Sequence, residues 1–94
     1  MTSVVIDTGP LVALLNRRER HHAWASSILD TIEPPLFTCD PVLSEACFLL
    51  QDVTGGQDAV LELVSRGIVR SDFRVYRRNR RQVVPTISPG KGGG

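Results

Sequence analysis

The sequence predicts an α/β domain of three layers, α/β/α, built on a short parallel sheet. Two observations carry this. Short runs at Val4–Ile6, Leu36–Thr38 and Ile68–Val69 are the candidate strands, the first of them a β-branched run. Between each run and the next lie two amphipathic helical stretches. Connections of that length cross over instead of turning back, which makes successive strands parallel and covers both faces of the sheet with helices.

Each element has its own signal. Val4–Ile6 is a β-branched run between polar residues. Thr8 or Gly9 is suited to cap the helix after it, with Pro10 in its first turn and Leu11, Val12, Leu14 and Leu15 as its apolar side. Asn16 and the charged stretch RRER end that helix in solvent. A second helix is expected over His22–Ile32, where Trp24, Ala25, Ile28, Leu29 and Ile32 recur at spacings of three and four. The histidines His21 and His22 read as exposed and Trp24 as core. The triplet EPP stops this helix, and Leu36–Thr38 follows as the second strand.

Asp40 is the expected cap of a third helix running to about Val53, with Pro41 in its first turn. Val42, Leu43, Ala46, Leu49, Leu50 and Val53 make its apolar face. Phe48 lies on the opposite side and calls for another layer or a partner chain. TGG then breaks the chain, Asp58–Ser65 gives a fourth helix with Val60, Leu61 and Val64 inward, and Gly67 is its stop. After Ile68–Val69 two readings stay open. Ser71 or Asp72 can cap another helix, or one strand can extend through Val75, with Val69, Phe73 and Val75 on one face.

Composition narrows the function classes. At 94 residues and 41% hydrophobic content, the chain is one small globular domain with little margin for a core. No apolar run approaches the roughly 20 residues of a membrane span, and no secretory signal is recognisable, so the cytoplasm is the expected location. Cys39 and Cys47 form no C-x-x-C pair and read as free thiols. The net charge of +1 conceals a division. Residues 1–73 carry ten acids against five bases, whereas residues 74–94 carry six bases and no acid. Residues 77–94, with their prolines and glycines, read as disordered, and one reading makes this tail a non-specific nucleic-acid binder through phosphate contacts.

Two acids stand out. Asp7 closes an apolar strand, and in open parallel sheets sites form beyond the carboxyl ends of the strands. On its own it also reads as a turn residue accepting bonds from the amides of Gly9 and Leu11. Glu45 lies at the border of the third helix's apolar face, about 40° from Leu49 on a wheel of about 100° per residue, and can reach over the sheet edge. It also reads as a solvated glutamate. Two carboxylates meeting there would repel, and a divalent cation resolves the conflict because hard cations take oxygen ligands.

The segments VVIDTGPLVALLNRRERHHAWA and LFTCDPVLSEACFLL together resemble the PIN domain family, especially the VapC-type toxins of bacterial toxin–antitoxin pairs. The resemblance covers about residues 2–76. It implies a parallel sheet sandwiched by helices and a metal-dependent ribonuclease. Clustered acids would hold Mg2+ or Mn2+, RNA would be the substrate and a cognate antitoxin the partner, with a homodimer allowed. By position, Asp7 would be the first metal-binding carboxylate, Glu45 the second acid, and Thr8 a supporting hydroxyl.

The chain departs from the family where a third acid is expected, in an AD-x-x-L-like segment after the helix that begins near Ser71. No Asp or Glu follows Asp72, which itself comes too early. The resemblance therefore implies an N-terminal part of a PIN-like domain over 1–76, incomplete at its C-terminal end, and a basic, Gly/Pro-rich tail over 77–94. A truncation or frameshift near Tyr76 would account for the change. Weak metal affinity, marginal stability and low or absent cleavage are the expected consequences. The alternative is a catalytically inactive remnant that binds an antitoxin or another subunit.

Overall fold

The computed structural model describes residues 3–80 and 83–84. In chain order the elements are β1 (Val5–Ile6), α1 (Thr8–Leu15), α2 (His22–Leu29), β2 (Leu36–Thr38), α3 (Asp40–Leu49), α4 (Gly56–Ser65), β3 (Val69–Ser71), α5 (Phe73–Arg78) and β4 (Val83–Val84). The four strands form one sheet in the order β3-β2-β1-β4, and every pairing is parallel. Val5 lies opposite Phe37 on one side and Val83 on the other, while Leu36, Phe37 and Thr38 align with Val69, Arg70 and Ser71.

The chain steps from β1 outward to β3, then returns to add β4 on the far side of β1. Right-handed crossovers therefore place α1–α4 on one face and α5 on the other. In agreement, α1 packs on α2 and α3, α3 packs on α4, and α5 packs on β2. The core joins Ile6 and Leu36 of the sheet to Leu11 of α1 and to Val42 and Ala46 of α3, with Cys39 between them. Trp24, Ile28, Leu29 and Ile32 pack against this cluster, as the stripe in the second helical segment requires.

The open choice after β3 resolves in favour of a helix. Asp72 leaves the strand in extended conformation and its Oδ1 accepts from the Val75 amide at 3.1 Å, satisfying one of the orphan donors of the first turn. Caps elsewhere differ from expectation by one residue. Asp7 caps α1 in place of Thr8 or Gly9, and Cys39 occupies the N-cap position of α3 in place of Asp40. In both cases the extended residue is the one directly after the strand, so the helix starts as soon as the chain clears the sheet. At the end of α4, Gly67 adopts φ +74 and donates to the Val64 carbonyl at 3.0 Å. The next amide, Ile68, reaches back to Leu63 at 3.0 Å, a Schellman closure that only glycine adopts without strain.

Helix lengths and faces also shift. The second and third helices end at Leu29 and Leu49, short of Ile32 and Val53, because turns take over their last predicted residues. At the end of α3, the cap residue Leu50 is buried but Leu49 is half exposed. On α4, Val60 is buried while Leu61 is 62% exposed and Val64 also faces out. Leu63 takes the inward place that Leu61 was expected to fill. Among the described residues no layer covers Phe48, which stands 64% exposed. His22 is half-buried, not free in solvent. Its Nδ1–H donates to the Ala13 carbonyl at 2.8 Å and ties the start of α2 to α1. Both cysteines are free thiols, Cys39 buried and Cys47 partly so.

The boundary expected at Tyr76 falls inside α5, and Val83–Val84 extend the sheet beside β1. Two consecutive β-branched residues suffice for a short edge strand, a signal outweighed in the sequence by the arginines before it. The remainder of the expected tail, residues 81–82 and 85–94, lies outside the described residues.

Candidate active site at the carboxyl edge of the sheet

Three strands end at the same edge, and each passes through a single residue into a helix: Asp7 into α1, Cys39 into α3, Asp72 into α5. Strand order reverses at β1, whose two neighbours are reached by connections running in opposite directions. That is the topological switch point, the place where an open α/β sheet leaves a crevice. Asp7 stands at its mouth.

The geometry is built around Thr8. Asp7 Oδ1 accepts from the Thr8 amide at 2.9 Å, so the carboxylate sits at the positive end of α1. The Thr8 hydroxyl donates to Glu45 Oε1 at 3.0 Å, across 37 positions of sequence. Thr8 is buried and Glu45, in the second turn of α3, is exposed. The two acids thus occupy one corner of the molecule, linked by the amide and hydroxyl of one intervening residue. The corner is held by Thr38, fully buried on β2, whose hydroxyl donates to the Ile6 carbonyl at 3.0 Å. The Asp72 amide in turn donates to the Thr38 carbonyl at 2.9 Å, which fixes β3 and the start of α5 to the same edge.

A further participant comes from α5. The Tyr76 hydroxyl donates to Asp7 Oδ1 at 3.3 Å. Its proton is held more tightly than the ordinary value of 10.0 implies. Burial of the phenol is the main cause, followed by the negative charge of Asp7 and the neighbouring Cys39, with Arg80 opposing them. Tyr76 was not singled out in the sequence because the element carrying it was undecided there. Once a helix capped by Asp72 is recognised, Tyr76 falls one turn in, near the strand ends.

The other acids at this edge are engaged in structure. Asp40 accepts a short hydrogen bond from the Ser71 hydroxyl, joining the start of α3 to the end of β3. Asp72 spends its Oδ1 on its own helix. The Asp7 carboxylate holds the cap of α1 through the Thr8 amide, while the Leu11 amide donates to the Asp7 backbone carbonyl at 3.3 Å.

The family model of the PIN domain matches residues 4–84. The chain belongs to the PIN domain family. PIN domains are nucleases that generally depend on a divalent metal, and the matched span includes α5 and β4. No curated protein and no solved structure matches this PIN domain. No helix among its described residues is long and apolar enough to cross a membrane.

The donor set of the corner is compatible with such an ion. Asp7 Oδ2 and Glu45 Oε2 accept no hydrogen bond among the described residues, so each carboxylate keeps one oxygen for a cation. Magnesium is commonly held by one or two carboxylates and several waters. Among the described residues no group of three His, Cys, Asp or Glu side chains stands close enough to share an ion.

Proposed function

We propose that this PIN domain is a Mg2+- or Mn2+-dependent endoribonuclease of the VapC toxin type, with Asp7 and Glu45 as its metal-holding carboxylates. Thr8 would be the hydroxyl that sets their relation. The observation that carries the reading is the Asp7–Thr8–Glu45 linkage at the switch point of a parallel sheet. When bound, a divalent ion stabilises charge on a phosphate and lowers the pKa of water. The chain's own residues supply the rest. Thr8 orients Glu45, the α1 terminus orients Asp7, and the Tyr76 hydroxyl neutralises part of the charge on Asp7 Oδ1. With two carboxylates and one oxygen of each already engaged, metal affinity is weak. The partners that go with this reading are RNA, a cognate antitoxin and a second copy of the chain, in the cytoplasm. Exposed Phe48 and Leu49 offer an apolar surface for a protein partner.

The experiment is cleavage of a single-stranded RNA with Mg2+ or Mn2+, in parallel with Asp7→Asn and Glu45→Gln. Metal-dependent cleavage lost in both variants supports the assignment. Cleavage that survives Asp7→Asn overturns it.

A second reading has its own support. No Asp or Glu follows Asp72, and the corner offers two acids only. On this reading the domain is catalytically inactive and acts by binding an antitoxin or another PIN subunit. Metal binding without RNA cleavage, together with capture of a purified antitoxin, would favour it. A change of reading frame near codon 76 is part of the same proposal. It fails if neither alternative frame beyond that codon encodes an alanine–aspartate helix and a further strand.

A further inference from the structure

The reading above leaves α5 largely unexplained. Its sequence, FRVYRR, places Arg74 and Arg78 one turn apart, and Arg77 three positions from Arg74. All three line one concavity of about 470 Å³ and are exposed. Guanidinium groups at these spacings share a helix face and repel one another. The ion pair found among the described residues, Arg66 with Glu62, lies elsewhere, and no acid occurs in the sequence after Asp72. Phe73 is 60% exposed and sits four positions before Arg77, on the same side of the helix. An aromatic ring interleaved with arginines, lacking any carboxylate partner, suits a strand that offers both phosphates and bases. An acidic peptide would use the arginines and leave Phe73 idle.

We infer that the outer face of α5, formed by Phe73, Arg74, Arg77 and Arg78, is an anchor for single-stranded RNA flanking the bond at the Asp7 corner. The inference rests on RNA being the substrate. Tyr76 projects from the same helix onto Asp7, about 130° around the helix wheel from the centre of that face, so one element joins the two places. Both places belong to one six-residue helix, so the anchored nucleotides lie beside the reacting one. Arginine forks grip phosphates in two-pronged fashion, and one base stacks on Phe73.

The test is binding of a fluorescent 12-nucleotide single-stranded RNA to the full chain in EDTA, where no cleavage occurs, over a series of salt concentrations. Replacing Arg74, Arg77 and Arg78 together by Gln is expected to flatten the slope of log K against log salt by about 2, since each phosphate contact on a single strand contributes about 0.7. The same charge removal at Arg17, Arg18 and Arg20, all exposed and on the loop after α1, is the control and leaves the slope near that of the parent chain. The three-Lys version of the α5 variant retains the slope, which separates lost charge from lost fold. Phe73→Ala weakens binding about tenfold with the slope unchanged, as loss of one stacked base requires. Equal slope changes in both Gln variants, or none in either, overturn the inference. So does binding of a polyglutamate peptide of matched charge as tightly as the RNA. Because the readout is binding without metal, the anchor can hold even if the nuclease assignment fails. Cleavage with an unaltered slope in the α5 variant would sink the anchor alone.

Discussion

Replacing Thr8 by Val tests the link on which the site depends. Valine keeps the β-branched shape, so the buried position is filled and the amide bond to Asp7 persists, while the donor to Glu45 is removed. A hydrogen bond to a charged group contributes about 1.5–3 kcal/mol. Glu45 is exposed, and water takes over part of what Thr8 supplies, which brings the expected loss to about 1 kcal/mol. For a domain of this size that is a fall in Tm of about 4–8 °C. The assay is a double-mutant cycle with Thr8→Val, Glu45→Ala and the combined variant, followed by urea denaturation. The coupling between the two positions should be about 1 kcal/mol. A coupling indistinguishable from zero, within about 0.3 kcal/mol, would show that the two side chains do not meet in solution. Thr8→Ser should restore most of the loss, because the hydroxyl returns.

Two further outcomes follow from the fold. A methyl group at Gly56 would approach Leu50 Cβ at 2.9 Å, its carbonyl oxygen at 3.0 Å and Val53 Cβ at 3.2 Å. Gly56→Ala should therefore force the α3–α4 turn apart at a cost of about 1–3 kcal/mol, read as a lowered urea midpoint. Tyr76 binds its proton more tightly when folded than the ordinary value of 10.0. Its contribution is thus fully present below the unfolded-state value and fades as pH rises through the folded one. The difference in stability between the parent chain and Tyr76→Phe should shrink as pH rises above the ordinary value of 10.0, as seen in chemical denaturation at successive pH values. A difference that grows over that range would contradict the contact with Asp7.

The parallel three-layer design was legible because it rests on periodicity and on connection length. β-branched pairs marked β1 and the start of β3, EPP marked the end of α2, and TGG the break between α3 and α4. Less legible were the features that depend on what lies across the sheet. Leu61 and Leu63 sit two residues apart on α4, and only the position of the core decides which of them is covered. The helix at Phe73–Arg78 competes with a strand of equal apolar content until the carboxyl edge supplies Asp72 with a role. Asp7 and Glu45 attracted notice as acids in costly places. The groups that bind that corner together, Thr38 and Tyr76, carry no such mark, since a buried hydroxyl or a phenol is ordinary until its acceptor is known. Val83–Val84 were hidden by their arginine-rich approach.

The strand that leads into Asp7 has its second neighbour 78 positions downstream, Val5 against Val83. During synthesis at about 5–20 residues per second, that flank of β1 stays bare for about 4–16 s after the strand itself has been made. An open strand edge in a crowded polysome is an invitation to the wrong mate. The order in which this sheet is assembled therefore leaves one flank of β1 open to pairing with sister chains on the same message.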